Sequence, residues 1–413
     1  MLLVWAFLVY GAIATLAQAA VIFMVLMERK ALAWLTQRKG PNRVGPAGLL
    51  QTLADGVKLL FKEDIMTPGQ NKVLFTLAPA LFLFPVFPLF ALIPFTDYLW
   101  GVSLPTGALL LFAISSITTV AVVLAGWASD NKYSLLGGVR SAAQAISYEI
   151  PLIMAALAVC LFAGTMNLRG IVEAQQGPLG AIGWFGLYLT PVSFLIFLIA
   201  SLAEVNRIPF DLPEAESELV SGYNTEYSGM KFAMYFLAEY AALFVMSALA
   251  VVFFAGGYLS PLAGVQWGDM TFGPTLAQSV GLAQWVAEAT RMPSLGGLLI
   301  QLEMAFWFIL KTYGFIFFAM WIRGTLPRLK PDQLMGFSWK FLIPLALINV
   351  FVVALQRFWA PPASSLAAWG AQAAANWPMA LAWLLTLIVG IGGFYVASAR
   401  AFSRRLNARI ARS

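Results

Sequence analysis

Long apolar segments recur along the whole chain, and this recurrence constrains the fold more than any other feature. A helix needs about 20 mostly apolar residues to cross a bilayer, and about nine segments of that kind are present. They lie at roughly 2–27, 73–95, 105–128, 142–165, 180–203, 230–256, 300–322, 340–358 and 378–399. Each is continuously apolar and not alternating, which is typical of transmembrane helices and not of barrel strands. The sequence therefore predicts an all-α polytopic membrane protein with about nine transmembrane helices.

Composition and charge agree with that fold class. Apolar residues make up 61% of the chain, against roughly 45–50% in soluble domains. Of the 25 Lys and Arg residues, 21 lie in alternate loops or in the C-terminal tail, three lie in the opposite loops, and Lys311 lies inside a span. The positive-inside rule places the N-terminus outside and the C-terminus in the cytoplasm, or in the matrix of an organelle. No small-residue cleavage site follows the first segment, so we expect a retained helix and not a signal peptide.

The first cytoplasmic loop, 28–72, contains a segment that is neither a span nor a plain linker. Over 48–62 the apolar residues mostly follow helical spacing, with Asp55, Lys58 and Lys62 between them. This pattern predicts a short amphipathic helix that lies in the membrane interface.

Cysteine and histidine usage excludes several kinds of metal site within this chain. The sequence has one cysteine and no histidine. An iron–sulfur cluster needs several thiolates, and a structural zinc site needs Cys and His ligands. Any electrons that the protein handles must therefore come from a partner.

Acidic residues are concentrated between the fifth and sixth predicted spans. Seven of them fall within 201–240, in a chain that is only 11% charged. They are Glu204, Asp211, Glu214, Glu216, Glu218, Glu226 and Glu239. Glu214 and Glu218 are four residues apart, so they share one face if this stretch is helical, and their mutual repulsion raises at least one pKa. Such a cluster suits a store of protons, although a hydrated surface loop is the alternative.

Three charged residues lie well inside predicted spans, away from the span ends: Glu149, Glu239 and Lys311. Each costs roughly 2.5–3.5 kcal/mol or more if it faces lipid. They are therefore expected to face the protein interior, water or one another. A proton path is one interpretation, and a structural ion pair that pins helices is the other.

Four segments resemble the H subunit of proton-pumping NADH:quinone oxidoreductase, respiratory complex I. They are 28–63, which contains GPNRVGP, then 126–149, then the acidic stretch with PFDLPEAESELVSGYNTEYSGMKF, and 311–347. The resemblance is collinear over about 1–356. It implies a membrane domain of eight spans over 1–358, with 359–413 as a C-terminal extension that carries a ninth span and a basic tail.

The resemblance also implies a function and the residues that perform it. The chain is expected to form much of a quinone tunnel and to couple quinone reduction to proton translocation, as a subunit that is not catalytic alone. The implied quinone-binding residues are Arg29, Trp34, Asp55, Arg207, Phe210 and Asp211. The implied proton relay consists of Glu149, Glu214, Glu216, Glu218, Glu226, Glu239 and Lys311. Arg29 and Lys30 have an alternative interpretation as interfacial anchors.

The same resemblance implies cofactors, partners and location. Quinone is the substrate, no cofactor is bound by this chain alone, and FMN and iron–sulfur clusters belong to partner subunits. Those partners are peripheral quinone-module subunits on the cytoplasmic side, and small membrane subunits and antiporter-like subunits laterally. The expected location is a bacterial inner membrane, with the mitochondrial inner membrane as the alternative.

Two other functions fit part of the sequence pattern. One is the equivalent membrane component of a related proton-pumping hydrogenase or ferredoxin-linked complex, because a shared fold does not decide function. The other is a stand-alone ion transporter, which predicts an internal repeat or paired broken helices. We find neither in the sequence.

Overall fold

The computed structural model describes residues 2–99, 101–176, 180–186, 190–212, 221–263, 265–267, 270–271, 273–275, 278 and 293–359. Within these ranges the chain is almost entirely helical. The helices are α1 (Leu2–Leu35), α2 (Gln51–Phe61), α3 (Lys72–Leu83), α4 (Val86–Leu92), α5 (Gly107–Ser115), α6 (Ile117–Ala128), α7 (Lys132–Ala163), α8 (Leu168–Glu173), α9 (Pro191–Glu204), α10 (Gly229–Phe254), α11 (Pro293–Thr325), α12 (Pro331–Phe337) and α13 (Ile343–Trp359). A π-helical turn, Ser338–Leu342, joins α12 to α13. Two strands of two residues each, Gln266–Trp267 and Met270–Thr271, form a small antiparallel pair.

Six helical segments within the described ranges are long and apolar enough to cross a membrane. They are Lys72–Leu92, Gly107–Ala128, Lys132–Ala163, Gly229–Phe254, Gly296–Thr325 and Pro331–Phe358. They coincide with the second, third, fourth, sixth, seventh and eighth spans expected from sequence, and α1 covers the first. The fold class is therefore confirmed as an all-helical polytopic membrane protein. The ninth span, 378–399, and the whole extension 359–413 lie outside the described residues, apart from Trp359 at the end of α13.

The prediction of one continuous fifth span over 180–203 is wrong in its first half. A short 3₁₀ turn occupies Gly180–Gly183, and the α-helix begins only at Pro191. Proline is favoured at the first position of a helix, because its missing N–H group has no intrahelical partner there. The glycines at 180, 183 and 186 weaken a helix before that point.

Proline also divides the second span. Pro85 lies between α3 and α4, and it has no N–H to continue the helical ladder. In α7 another proline, Pro151, lies inside the helix and leaves the carbonyl of Ser147 without its usual partner. Both prolines can be read from the sequence, but packing decides which groups pair with the backbone atoms that they leave free.

Helix α10 is the centre of the bundle. It packs against α1, α3, α4, α9 and α11. Of its most apolar 18 residues, 78% are buried, against 28% for the span that contains α13. Because α10 carries Glu239, this packing holds one of the predicted relay residues inside the protein.

The amphipathic helix is confirmed at Gln51–Phe61, close to the expected 48–62. None of its residues is buried. Its apolar side chains, including Leu53, Val57 and Leu60, are about half exposed, and Phe61 is almost fully exposed. An apolar helix face of this kind is stable only against lipid or a partner surface.

Candidate functional site

A buried ion pair joins α1 to the loop after α9, two segments that carry expected quinone residues. Glu28, near the C-terminal end of α1, accepts hydrogen bonds on both carboxylate oxygens from Nη1 of Arg207, at 2.9 and 3.0 Å. Arg323 of α11 donates to the same carboxylate. Burial alone lowers the pKa of Arg207, but the Glu28 carboxylate together with Tyr240 and Glu239 outweighs burial and raises it. The guanidinium therefore stays charged although the residue is only 8% exposed.

Aromatic side chains connect this ion pair to Glu239. The guanidinium of Arg207 lies over the ring of Tyr240, 4.3 Å from its centroid, in cation–π geometry. The preceding residue, Glu239, accepts a hydrogen bond from Oη of Tyr223 at 2.7 Å. Arg207 and Glu239 also interact electrostatically. A charge change at one of these groups is therefore felt at the other.

The short loop after α9 is fixed to α7 by one amide. Nε2 of Gln144 donates to the backbone carbonyls of Ala203 and Phe210, at 2.7 and 2.6 Å. Both ends of the loop that presents Arg207 are thus tied to the same side chain. Irregular backbone at membrane depth needs such internal partners because lipid offers none.

A cavity of about 50 Å³ separates two carboxylates next to this loop. Glu204, the last residue of α9, and Glu239 both line it, together with Thr119, Ser141 and Asn206. Oε2 of Glu204 and Oγ1 of Thr119 are buried without a protein partner. A water needs roughly 10–15 Å³ of this kind of volume and two to four polar neighbours. The cavity is therefore large enough to hold water between Glu204 and Glu239.

Glu149 lies half-buried on α7, two residues before Pro151, and it interacts electrostatically with Glu204. The carbonyl of Ser147, freed by Pro151, accepts a hydrogen bond from Oγ of Ser338 at 2.6 Å. Oη of Tyr148 donates to the carbonyl of Leu334 at 2.9 Å. The residues on the N-terminal side of Glu149 are therefore fixed to the last described span.

The part of the site formed by Arg29, Trp34 and Asp55 is exposed at the surface of the chain. Arg29 and Asp55 form an ion pair at 2.5 Å, with both side chains partly exposed, and Nε2 of Gln51 donates to Asp55 at 3.1 Å. Burial alone raises the pKa of Asp55, but the hydrogen bonds from Arg29 and Gln51, together with the charges of Arg29 and Lys58, outweigh burial and hold it below its ordinary value. Trp34 is 75% exposed a little over one helical turn further along α1. Arg29 and Asp55 are thus brought together between α1 and α2, and Trp34 lies further along the same helix.

The structure gives contacts for three more predicted residues, Asp211, Phe210 and Glu226. Asp211 is buried and accepts a hydrogen bond from Arg328 at 2.7 Å, and the ring of Phe210 lies 5.5 Å from that of Tyr148. Glu226 accepts a hydrogen bond from Nδ2 of Asn131 at 2.6 Å, away from the cavity described above.

Three predicted relay residues, Glu214, Glu216 and Glu218, lie outside the described residues. Nζ of Lys311 donates to backbone carbonyls, and its predicted relay role stays a prediction.

Several residues of this network were not among the sequence-predicted site residues. They are Glu28, Glu204, Tyr223, Tyr240 and Arg323. Two signals pointed to them: Glu28 and Arg323 are charged residues at predicted span ends, and Glu204 belongs to the acidic cluster. Nothing in the sequence distinguished Tyr223 and Tyr240 from other aromatic residues of a membrane protein.

Comparison with known proteins gives a consistent result over most of the chain. The family model described as NADH dehydrogenase matches residues 8–354. The H subunit of the NADH-quinone oxidoreductase of Brevibacillus brevis is 47% identical over 335 residues, which cover 81% of this chain and 88% of that protein. The protein of the same name from Geobacillus kaustophilus is 45% identical, over 83% of this chain and 90% of its own length. That from Bacillus mycoides is 45% identical, over 85% and 95%.

Proposed function

The chain belongs to the NADH dehydrogenase family of membrane subunits of NADH-quinone oxidoreductase, and on that premise we propose that it links a quinone tunnel to a proton relay. The observation that carries the proposal is the ion pair of Glu28 with Arg207, the electrostatic interaction of Arg207 with Glu239, and a cavity lined by both Glu239 and Glu204. One end of this set faces the loops expected to bind quinone. The other end lies among the carboxylates inside the membrane.

The tunnel is proposed to begin between α1 and α2. A quinone has a polar head and a long apolar tail, so its path needs apolar walls and a few polar anchors at the inner end. The exposed apolar face of α2 and the Trp34 side chain suit the tail. Arg29 and Asp55 are near the opening, and Phe210 and Asp211 lie on the loop after α9. Donors from partner subunits complete the head-group site.

Coupling is proposed to start from charge at the inner end of the tunnel. Reduction of a quinone to a quinol takes up two electrons and two protons, so it changes the local charge when protons are drawn from nearby groups. Arg207 interacts with both Glu28 and Glu239. A change in its surroundings therefore alters the free energy of a proton on Glu239.

The relay is proposed to continue from Glu239 to Glu204 and Glu149. Waters in the cavity between Glu239 and Glu204 supply hydrogen bonds along which a proton can move. Glu204 and Glu149 interact electrostatically, and protons in coupled groups leave in steps that belong to the set and not to one residue. Glu214, Glu216, Glu218 and Glu226 are proposed to exchange protons with this set from the loop side.

The proposed setting is a multi-subunit complex in a bacterial inner membrane, with the N-terminus outside and the C-terminus in the cytoplasm. FMN and iron–sulfur clusters belong to partner subunits, which deliver electrons to the quinone from the cytoplasmic side. Antiporter-like and small membrane subunits receive the protonation signal laterally. The names of the relatives, all NADH-quinone oxidoreductases, favour this assignment over a hydrogenase or ferredoxin-linked complex.

The test is a pair of charge-removing substitutions that keep side-chain size. Glu204→Gln and Glu239→Gln should lower inhibitor-sensitive NADH:quinone turnover and proton pumping in native membranes. NADH:ferricyanide reduction should stay intact, because it reports the assembled electron-input module. Glu173→Gln is the matched control, because its carboxylate pairs with Arg169 in an exposed position outside the network. Wild-type turnover and pumping in both cavity variants would contradict the relay.

A further inference from the structure

Lys311 was predicted as a relay residue, but its hydrogen-bond acceptors are backbone carbonyls and not groups that exchange protons. Its Nζ donates to three backbone carbonyls, those of Ala255, Gly257 and Leu259, at 2.9, 2.9 and 2.6 Å. The ring of Trp184 lies on another side, with its centroid 4.1 Å from Nζ. The ammonium group is thus enclosed by three carbonyl dipoles and the face of an indole.

The position of these carbonyls explains why they need a cation. Helix α10 ends at Phe254 with Ala255 as its C-cap, so the carbonyl of Ala255 is one of the last of the helix, which have no intrahelical donors and carry partial negative charge. The carbonyls of Gly257 and Leu259 belong to the turn that follows the helix. The chain then turns through Gly256 and Gly257, both in the left-handed region, with φ of 69° and 52°. A side chain at either position would collide: a Cβ on Gly256 would lie 2.5 Å from Trp184. This tight, mostly buried turn directs three of its carbonyls at Nζ of Lys311.

A neighbouring amide pairs with two other backbone groups at the end of α10. Nε2 of Gln175 donates to the carbonyl of Val252 at 2.8 Å, and its Oε1 accepts from the N–H of Gly256 at 3.0 Å. The end of α10 is therefore completed by two side chains, one from the loop after α8 and one from α11. Each serves a different set of backbone groups.

The hydrogen-bonding capacity of an ammonium group bears on its role. Lysine has three N–H donors and no acceptor, and the three carbonyls use all three donors. Release of one proton leaves a carbonyl without a donor, and an unpaired buried acceptor is unfavourable. Backbone carbonyls do not accept that proton in return.

We propose that Lys311 is a tethered cation in a carbonyl-and-indole cage, and that the cage is a binding site for a small primary ammonium ion once the side chain is removed. Its role is to complete the end of α10, the helix that carries Glu239, and not to transfer protons. The proposal removes Lys311 from the predicted proton relay, which then consists of glutamates only. It stands whether or not those carboxylates carry protons, because it concerns only the contacts of Lys311.

The experiment removes the tether and supplies a free cation. Native membranes with Lys311→Ala complex are heated, and the half-life of NADH:quinone turnover is measured with and without methylammonium. We expect inactivation roughly tenfold faster than wild type or more, and recovery of most of that loss with methylammonium. Tetramethylammonium, which has charge but no N–H donors, should give no recovery.

Lys311→Met is the matched variant, because its side chain fills the cage without donors. It should inactivate as fast as Lys311→Ala and show no recovery with methylammonium. Proton pumping per NADH is measured without amines, since amines dissipate a pH gradient, and it should be unchanged in the Lys311→Met complex that assembles.

Two results would overturn the proposal. One is wild-type thermal inactivation of Lys311→Met together with fewer protons pumped per NADH, because that is the behaviour of a relay residue. The other is the absence of recovery of Lys311→Ala by methylammonium. If Lys311→Ala complex does not accumulate, cells are grown with methylammonium and assembled complex is quantified on native gels. No gain in assembly then counts against the cage.

Discussion

The buried ion pair between Arg207 and Glu28 gives the sharpest quantitative prediction. Arg207→Met removes two hydrogen bonds to a carboxylate whose side chain is 3% exposed. Breaking a buried pair by removing one partner typically costs about 3–5 kcal/mol, because a buried charge is left behind. Arg323 still donates to Glu28, but its side chain is 32% exposed and its contribution is correspondingly screened. We therefore expect a loss near the lower limit, about 3 kcal/mol.

The assay is thermal inactivation of the complex in native membranes. If the ion pair is intact in the native state and broken at the inactivation barrier, about 3 kcal/mol corresponds to roughly a hundredfold faster inactivation. Because Arg207→Met can also lower turnover directly, assembled complex on native gels is the second readout. Arg169→Met is the control: its partners Asp97 and Glu173 are partly exposed, and such pairs contribute about 0–1 kcal/mol.

A double variant distinguishes the destabilisation caused by an unpaired buried charge from that caused by lost packing. Glu28→Gln combined with Arg207→Met removes both charges, so it should be less destabilised than Arg207→Met alone. The reasoning is refuted if Arg207→Met inactivates at the wild-type rate. It is equally refuted if the two substitutions add, because additivity means that the groups do not interact.

Three further outcomes follow from other contacts. Ser338→Ala leaves the Ser147 carbonyl without the donor from Ser338 and should destabilise the complex by about 1–3 kcal/mol. This loss should be measured as faster thermal inactivation. Ser338→Thr keeps the hydroxyl and should behave like wild type. Tyr223→Phe removes the donor to Glu239 and should lower quinone turnover and shift its pH profile, whereas an unshifted profile argues against a relay role for that carboxylate. Asp55→Asn should change the KM for a quinone by the same factor across the neutral range. The lowered pKa of Asp55 keeps its charge present at all pH values above the ordinary carboxyl range, and the charge is lost only as pH falls through that lowered value; a pH-dependent factor would contradict this assignment.

Much of the fold was predictable because the determining property is local. Whether a stretch of about 20 residues prefers lipid to water depends on its own side chains. For that reason seven of the expected spans reappear as helices over nearly the same residues. The fifth span shows the limit of this reasoning: 180–203 is mostly apolar, but the α-helix begins at Pro191. Apolarity predicts burial, and backbone chemistry decides where the helix starts.

The candidate site was predictable in its location and not in its pairings. Glu28 and Arg29 are neighbours in sequence, but successive helix residues point about 100° apart. Packing therefore buries Glu28 against Arg207 and leaves Arg29 half exposed beside Asp55. Which of the two faces the interior depends on where α10 and α11 lie, and no local pattern contains that information.

The sequence by itself determined that this protein lies in a lipid bilayer, which family it belongs to and where its charged residues are concentrated. These follow from transfer free energies and residue types that are properties of short segments. The tertiary structure alone decided which charge meets which partner. It placed Glu204 and Glu239 across one cavity, and it gave Lys311 three backbone carbonyls in place of a carboxylate. The reason is that a buried charge is stabilised by the groups that surround it in space, and those groups come from helices far apart in the chain.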